Sequence, residues 1–446
     1  MKRIDEEPTQ EQIGDSLEND RIGRRGTVER FIHLLSIIEG PYSLFIDSPW
    51  GTGKTFFVKQ VAKVLKSANP NINIEDRMEM PVLDDDVRQR LNDSPIRPVY
   101  FNAWENDHFD DPIAPLLATI ASEADDADTK SGKSVHDIIA GAIECAFSAC
   151  GTNVGRLIDS ISGEDFLDAF KKRDELRLML SELTSALIPE KANKVVLFID
   201  ELDRCRPEFA TRLLEQTKSL FRQDGVIVIY STDMTQLAYS LQGLYGPNYG
   251  CQKYLQRFYD FRFELPRISP IKYLDAKCAN IHTSYCFTDI ALRYIELHDS
   301  SLRTCNRFFD KLNQGARYID NNPSSQEDIP IAFSKNALLP TLLAMAEFAP
   351  SQWAKVKTGS DFKCVFEFAK ENGEFIEYLN RTLLRNQNRA SNTEATEEEQ
   401  MDYVENVCAM IFLDDISDPR LKRAERSIRT WGAFDRETLR TLSFPS

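Results

Sequence analysis

Short apolar runs alternate with stretches of helical periodicity through the first 265 residues. "DRIGRRGTVERFIHLLSII" from Asp20 sets Val28, Phe31, Leu34, Leu35 and Ile38 on one helical face. It leads into "YSLFID" (42–47), a brief apolar run bounded by Pro41 and Pro49 that suits a strand buried on both faces. Helical spacing returns from Gly53 in "GKTFFVKQVAKVLKSA". Four more short runs read as strands: "PVYFNAW" (98–104), "KVVLFID" (194–200), "GVIVIYSTD" (225–233) and "DFRFEL" (260–265). Strands separated by helices predict an α/β fold, a parallel sheet with helices on both faces.

The wide gap between the second and third strands, about 106–190, holds "SVHDIIAGAIECAFSACG". That stretch is too short and too polar to cross a membrane, so an inserted helical region is expected. Beyond Pro266 the pattern is helical almost throughout, giving a C-terminal helical domain over 266–385. The polar, acidic run 386–402 reads as a linker or long loop, followed by a small helical segment over 403–446. Residues 1–17, acidic and without periodicity, read as a flexible tail ahead of a domain spanning 18–265.

Charge narrows the possible functions. Fifty-four basic against 70 acidic residues give a formal net charge of −16, which argues against a broad electrostatic grip on nucleic acid. In "PRLKRAERSIR" (419–429), Lys422, Arg426 and Arg429 share a helical side, a pattern that is usually a solvated face. No run of about 18 uninterrupted apolar residues and no secretory signal is present, so a cytoplasmic protein with no membrane contact is expected. Nine scattered cysteines lack C-x-x-C pairs and read as reduced and mostly buried. Five histidines without ligand spacing argue against zinc.

The first strand runs into "DSPWGTGKT", the end of a phosphate-binding loop G-x-x-x-x-G-K-S/T in which Ser48 takes the place of the opening glycine. In such a loop backbone N–H groups at a helix start face phosphate, the lysine meets the outer phosphates and the Ser/Thr hydroxyl ligates magnesium. Lys54 and Thr55 fit the last two tasks. A bare G-T-G-K-T also occurs as an ordinary helix start, but a second signal stands with it. "KVVLFIDELDRC" ends a strand in Asp200, placed to face a metal, and Glu201, placed to reach an attacking water. A further strand ends in the polar Ser231, Thr232 and Asp233.

These segments, with Trp50 before Gly-x-Gly-Lys-Thr, "VYFNAWENDHFDDPIAPLL", "VVLFIDELDRCRPE" and "YLQRFYDFRFELP", resemble the KAP family of P-loop NTPases from about Asp20 to Asn313. The resemblance implies a P-loop NTPase sheet with a helical lid, and ATP and Mg2+ as ligands. Its phosphate loop maps to Ser48, Pro49, Trp50, Gly51, Thr52, Gly53, Lys54 and Thr55, with Phe56 next, and its metal ligands to Thr55 and Asp200. Glu201 and Lys54 become catalytic, with Arg257 as an arginine finger. Arg21 to Arg24 are implied beside the base, Ser231, Thr232 or Asp233 as a sensor, and Arg303 and Arg307 as lid arginines. Each arginine also has the commoner reading of a surface residue paired with an acid.

The function implied is an ATP-hydrolysing switch, a homo-oligomer working with a partner or effector protein, often in bacterial anti-phage systems. Many members carry membrane helices between the second and third strands, where this sequence is polar. A nucleic-acid motor or loader is the alternative the acidic charge opposes. A kinase is opposed by Glu201, and a scaffold with little hydrolysis is encouraged by Ser48. No Asn-Lys-x-Asp box for guanine occurs, and the family leans to ATP.

Overall fold

The computed structural model describes residues 9–20, 23–70, 83–123, 194–270, 274, 285–298, 300–321, 329–386 and 395–427. The chain divides into two compact units, Glu7–Arg267 and Ile268–Ser446. The change comes at Arg267, where the alternating strand and helix pattern stops.

The first unit is built on five parallel strands: β1 (Tyr42–Asp47), β2 (Ile96–Asn102), β3 (Lys194–Asp200), β4 (Val226–Thr232) and β5 (Phe261–Glu264). Their order is β2-β3-β4-β1-β5. Because β4 lies at the centre between β3 and β1, the C-terminal ends of three strands converge at Asp47, Asp200 and Thr232. β2 is an edge strand, which explains how Pro98, without an N–H to donate, stands inside it.

Alternation along the strands feeds two cores. Leu44, Ile46, Val196, Phe198, Ile227 and Ile229 pack against helices α1 (Gln10–Asn19), α2 (Arg25–Ile37), α3 (Lys54–Ala68) and α4 (Asp85–Asp93). Phe45, Val99, Leu197, Ile199, Val228 and Tyr230 pack on the other face. There they meet α5 (Ile113–Ser122), α6 (Pro207–Leu220), α7 (Met234–Tyr245) and α8 (Cys251–Leu255). Residues covered on both faces of a sheet read as continuous apolar runs, which is why these strands were visible in sequence.

Helix α1 overturns the expected tail from residue 10 onward. Ile13 and Leu17, one helical turn apart, are fully buried, and the Gln60 amide on α3 donates to the Ser16 hydroxyl at 2.9 Å. Two apolar residues at i, i+4 supply the contact, while Glu18 beside them is exposed. The expected insertion begins as α5, whose Ile113, Leu116 and Leu117 belong to the sheet's own core. The rest of it, 124–190, lies outside the described residues.

The second unit is wholly helical among the described residues. It contains α9 (Tyr285–Leu297), α10 (Leu302–Asn321), α11 (Ile329–Phe348), α12 (Pro350–Lys357), α13 (Lys363–Ala369), α14 (Gly373–Asn386), α15 (Glu397–Phe412) and α16 (Pro419–Ser427) around one core. α11 is apolar and long enough to cross a membrane, and 78% of its most apolar window is buried within the protein. Its middle, Ser334–Leu338, widens into a π-helical turn just before Pro340, whose ring would otherwise meet the carbonyl four residues back.

The expected linker 386–402 is corrected at both ends. α14 runs to Asn386, and α15 starts at Glu397 behind a capping box in which Thr396 and Glu399 bond each other's backbone N–H. The acids Glu397, Glu398 and Glu399 form a helix first turn, favoured by the helix dipole, so acidity there marked a helix start. Tyr403, Val404 and Val407 join the same core as α9 to α14, so the C-terminal segment, as far as it is described, is part of this unit.

Candidate active site

The loop 48–53 leaves the end of β1 and enters α3 through two left-handed glycines, Gly51 at φ 76° and Gly53 at φ 87°. Only glycine adopts that region freely. Ser48 is not in it, so the position where the usual glycine is missing makes no such demand here. Ser48 is buried, and its hydroxyl has no hydrogen-bond partner among the described residues.

The loop is tied from several sides. The Thr52 hydroxyl donates to the Pro49 carbonyl at 2.8 Å, and the Trp50 indole N–H donates to Asp203. Arg24, 3% exposed, donates to the Thr52 carbonyl at 2.7 Å and the Pro266 carbonyl at 3.3 Å. Its guanidinium lies 5.7 Å from the Phe57 ring, and burial pushes its pKa down to about 10. Arg24 therefore fastens the loop to the chain leaving the sheet. Arg21, expected beside it, lies outside the described residues.

Lys54, the first residue of α3, is buried, with its ammonium 2.6 Å from the Ser48 carbonyl and 3.3 Å from that of Pro49. Burial lowers its pKa, and the charges of Asp203, Asp233, Asp200 and Asp47 oppose that shift. Thr55 follows on the next helical position, and its hydroxyl lies 3.5 Å from Glu201 Oε1. Phe56 turns to the half-buried flank and packs on the α2–α3 core.

Asp200 at the end of β3 is completely buried. It accepts the Glu201 N–H at 2.9 Å and the Tyr100 hydroxyl at 3.2 Å, and the Ser231 and Thr55 hydroxyls face it. Desolvation nevertheless holds its pKa above the ordinary carboxylate value, because all of these partners are neutral. A buried, ionisable carboxylate beside a threonine hydroxyl, with no ion pair to a described residue, is a donor set that fits a divalent cation.

Glu201 bears φ 61°, a left-handed conformation rare outside glycine, asparagine and aspartate, which turns the chain sharply off β3. Its N–H also donates to the Ser231 carbonyl at 3.2 Å. The carboxylate is bonded by Arg204 at 3.0 Å and approached by the Asn102 side chain. Burial raises its pKa, Arg204 lowers it, and Asp200 and Asp203 raise it.

Asp203 carried no role in the sequence reading, yet it receives both the Trp50 indole N–H and, at 3.1 Å, the Thr232 hydroxyl. It thus joins the phosphate loop to the end of β4. Its signal was present as the third acid of "DELDR", three residues past Asp200. Asp233 serves as N-cap of α7, accepting from Thr235 and Gln236, each at 3.1 Å, so the cap alone accounts for an aspartate there. Asp47 likewise accepts the Met234 N–H at 2.9 Å and pairs with Arg262 at 2.5 Å.

Of the remaining expected residues, Arg257 lies outside this cluster, and Arg303 and Arg307 belong to the second unit. Arg257 is exposed on the short turn Gln256–Phe258 before β5, with no ion pair among the described residues. Arg303 is an exposed residue of α10 in the second unit. Arg307 pairs with Glu347 at 2.6 Å, and Lys311 meets the same carboxylate at 2.7 Å, so Arg307 has a structural partner within its own unit.

A family profile described as the KAP family P-loop domain matches residues 24–319. No curated protein matches the chain. Among solved structures, that of C. elegans PCH-2 is matched at 15% identity over 73% of this chain, with a TM-score of 0.22. The match spans 62% of the PCH-2 chain.

Proposed function

The chain belongs to the KAP family of P-loop domains, and from that premise we propose that it binds ATP and hydrolyses it as a switch. The observation carrying the reading is the meeting of Lys54, Thr55, Asp200 and Glu201 at the ends of β1 and β3. Two left-handed glycines hold the loop that presents them.

The loop's backbone N–H groups and the Lys54 ammonium bind the outer phosphates. Thr55 and Asp200 would hold Mg2+, which when bound neutralises charge on the phosphate oxygens. Glu201 accepts a proton from water as the water oxygen attacks the γ-phosphorus and the bond to the β,γ-bridging oxygen breaks. ADP and phosphate leave, with that proton passing from the carboxylate to solvent or product. Arg257, exposed on the turn before β5, is the residue we assign as the finger offered to a neighbouring copy.

The setting we favour is a cytoplasmic homo-oligomer that changes a larger complex, in bacterial anti-phage defence. That part rests on the family alone. The test is phosphate release from ATP by the purified protein, alone and with DNA, RNA or a co-purifying protein. Acceleration by polynucleotide would favour a motor or loader, and nucleotide binding without phosphate release would favour a scaffold.

A further inference from the structure

An aromatic face, a guanidinium and the base of the proposed hydrolysis lie in line, and the first of the three is at the surface. Trp104 is 51% exposed in the loop that follows β2. The Arg204 guanidinium sits 5.3 Å from its ring centroid and bonds Glu201 Oε1 at 3.0 Å, the oxygen that Thr55 also approaches.

Each link is itself anchored. Asn102 caps the loop turn by accepting the Trp104 N–H at 3.1 Å and the Glu105 N–H at 3.4 Å. The same loop is bound to the start of α6, where Arg206 pairs with Asp107 at 3.3 Å and donates to the Phe109 carbonyl at 3.1 Å. Arg212 adds a bond to the Asp110 carbonyl at 3.0 Å. Arg204 has neither of those tasks. Among the contacts of the described residues, its guanidinium touches the indole and the carboxylate.

A glutamate held in a left-handed backbone has its side chain aimed by that backbone, and fixing the carboxylate still needs a partner. From the 3.0 Å bond and the ring beneath it, we infer that Arg204 is a positioning residue for Glu201 and that exposed Trp104 is its outer support. The rate of hydrolysis, and not the binding of nucleotide, is then set from the surface loop after β2. A planar guanidinium that stacks and bonds at once does this better than an ammonium, so Arg204→Lys is a partial substitute only.

The inference rests on the hydrolysis reading, and the experiment separates the two. Phosphate release and affinity for a fluorescent ATP analogue are measured for wild type, Arg204→Ala, Arg204→Lys, Trp104→Ala, Trp104→Phe and Arg204→Ala/Trp104→Ala. A displacement of the base of about 1 Å predicts a kcat loss of roughly 100-fold in Arg204→Ala, with affinity changed less than about 3-fold. Trp104→Ala loses about 10-fold, Trp104→Phe keeps most activity, and Arg204→Lys falls between wild type and Arg204→Ala. Because Trp104 acts through Arg204, the double variant is no slower than Arg204→Ala. In a Glu201→Gln background Arg204→Ala has no further effect. Unchanged or raised kcat in Arg204→Ala, multiplied losses in the double variant, or parallel losses of affinity and kcat overturn the positioning role. Wild type that binds the analogue and releases no phosphate overturns the hydrolysis reading, and this inference with it.

Discussion

Asp200→Asn should make the nucleotide-free protein more stable while removing its response to magnesium and ATP. The carboxylate is completely buried and bonded only by neutral groups, the Glu201 N–H at 2.9 Å and the Tyr100 hydroxyl at 3.2 Å among them. Dehydrating a charge costs several kcal/mol after relaxation, and hydrogen bonds to a charge return about 1.5–3 kcal/mol each, so a net penalty of about 1–2 kcal/mol remains. Asparagine keeps one acceptor and can donate to the Tyr100 oxygen, so it sheds the penalty with little loss of bonding. At about 2–4 °C per kcal/mol, melting of the first unit should rise by roughly 2–8 °C at neutral pH in EDTA. Burial raises this carboxyl in the folded state above its unfolded value. Between those two values the folded chain binds more protons than the unfolded one, so this contribution falls as pH rises and the penalty is complete above both. The advantage of the variant over wild type must therefore grow as pH rises from the ordinary carboxylate value through the raised one, and stay level above it. Saturating Mg2+ and ATP reverse the order, since a ligand at 100 times its Kd stabilises wild type by about 2.7 kcal/mol and the variant hardly at all. A variant that melts lower in EDTA at pH 8, or a difference flat with pH, would refute the reasoning.

Lys54→Ala removes the one buried ammonium among four nearby carboxylates and should abolish measurable ATP binding in a filter or fluorescence assay; normal turnover would displace the loop from its role. Glu201→Gln should bind ATP normally and release phosphate about 100-fold more slowly, and loss of binding with a normal rate per bound ATP would move the base elsewhere. Ser48→Gly deletes a buried hydroxyl that has no partner among the described residues, at a position without positive φ, so ATP affinity should hold or improve; a large drop, read by titration, would mean the hydroxyl contacts nucleotide. Arg257→Ala should bind ATP yet hydrolyse it poorly, and mixing it with Lys54→Ala should restore some phosphate release. A dead mixture, where light scattering shows mixed oligomers, would mean that Arg257 does not act between chains.

Strands β1 to β4 were legible because parallel strands buried on both faces must be written in unbroken apolar letters, whereas β5 is a largely exposed edge strand in which Phe alternates with charge. The second strand was set late: it ends at Asn102, whose side chain caps the next turn, while Ala103 and Trp104 belong to that turn. Helix α1 was hidden because two residues, Ile13 and Leu17, carry its contact within a polar stretch. The start of α15 is hidden for the opposite reason, since its acidic, polar composition matches that of a linker while Thr396 and Glu399 spell a cap. In the site, the residues that touch phosphate or metal in other P-loop proteins were legible from order and spacing. Asp203, Trp104 and Arg204 were not, because what they do depends on side chains brought together from β2, β3 and the loop after β1. No spacing along one segment records such a meeting.

The glycines of the loop offer a different way to read the family's letters. At Gly51 and Gly53 the backbone takes angles that would burden any side chain by about 1–2 kcal/mol, whereas at Ser48 it does not. A motif is then a list of torsion angles translated into an alphabet, and some of its letters are translations with synonyms. A search that demands a glycine at the first position discards chains whose geometry is unaffected by its loss. One that demands glycine only at the two left-handed positions, followed by Lys and Thr, would keep them.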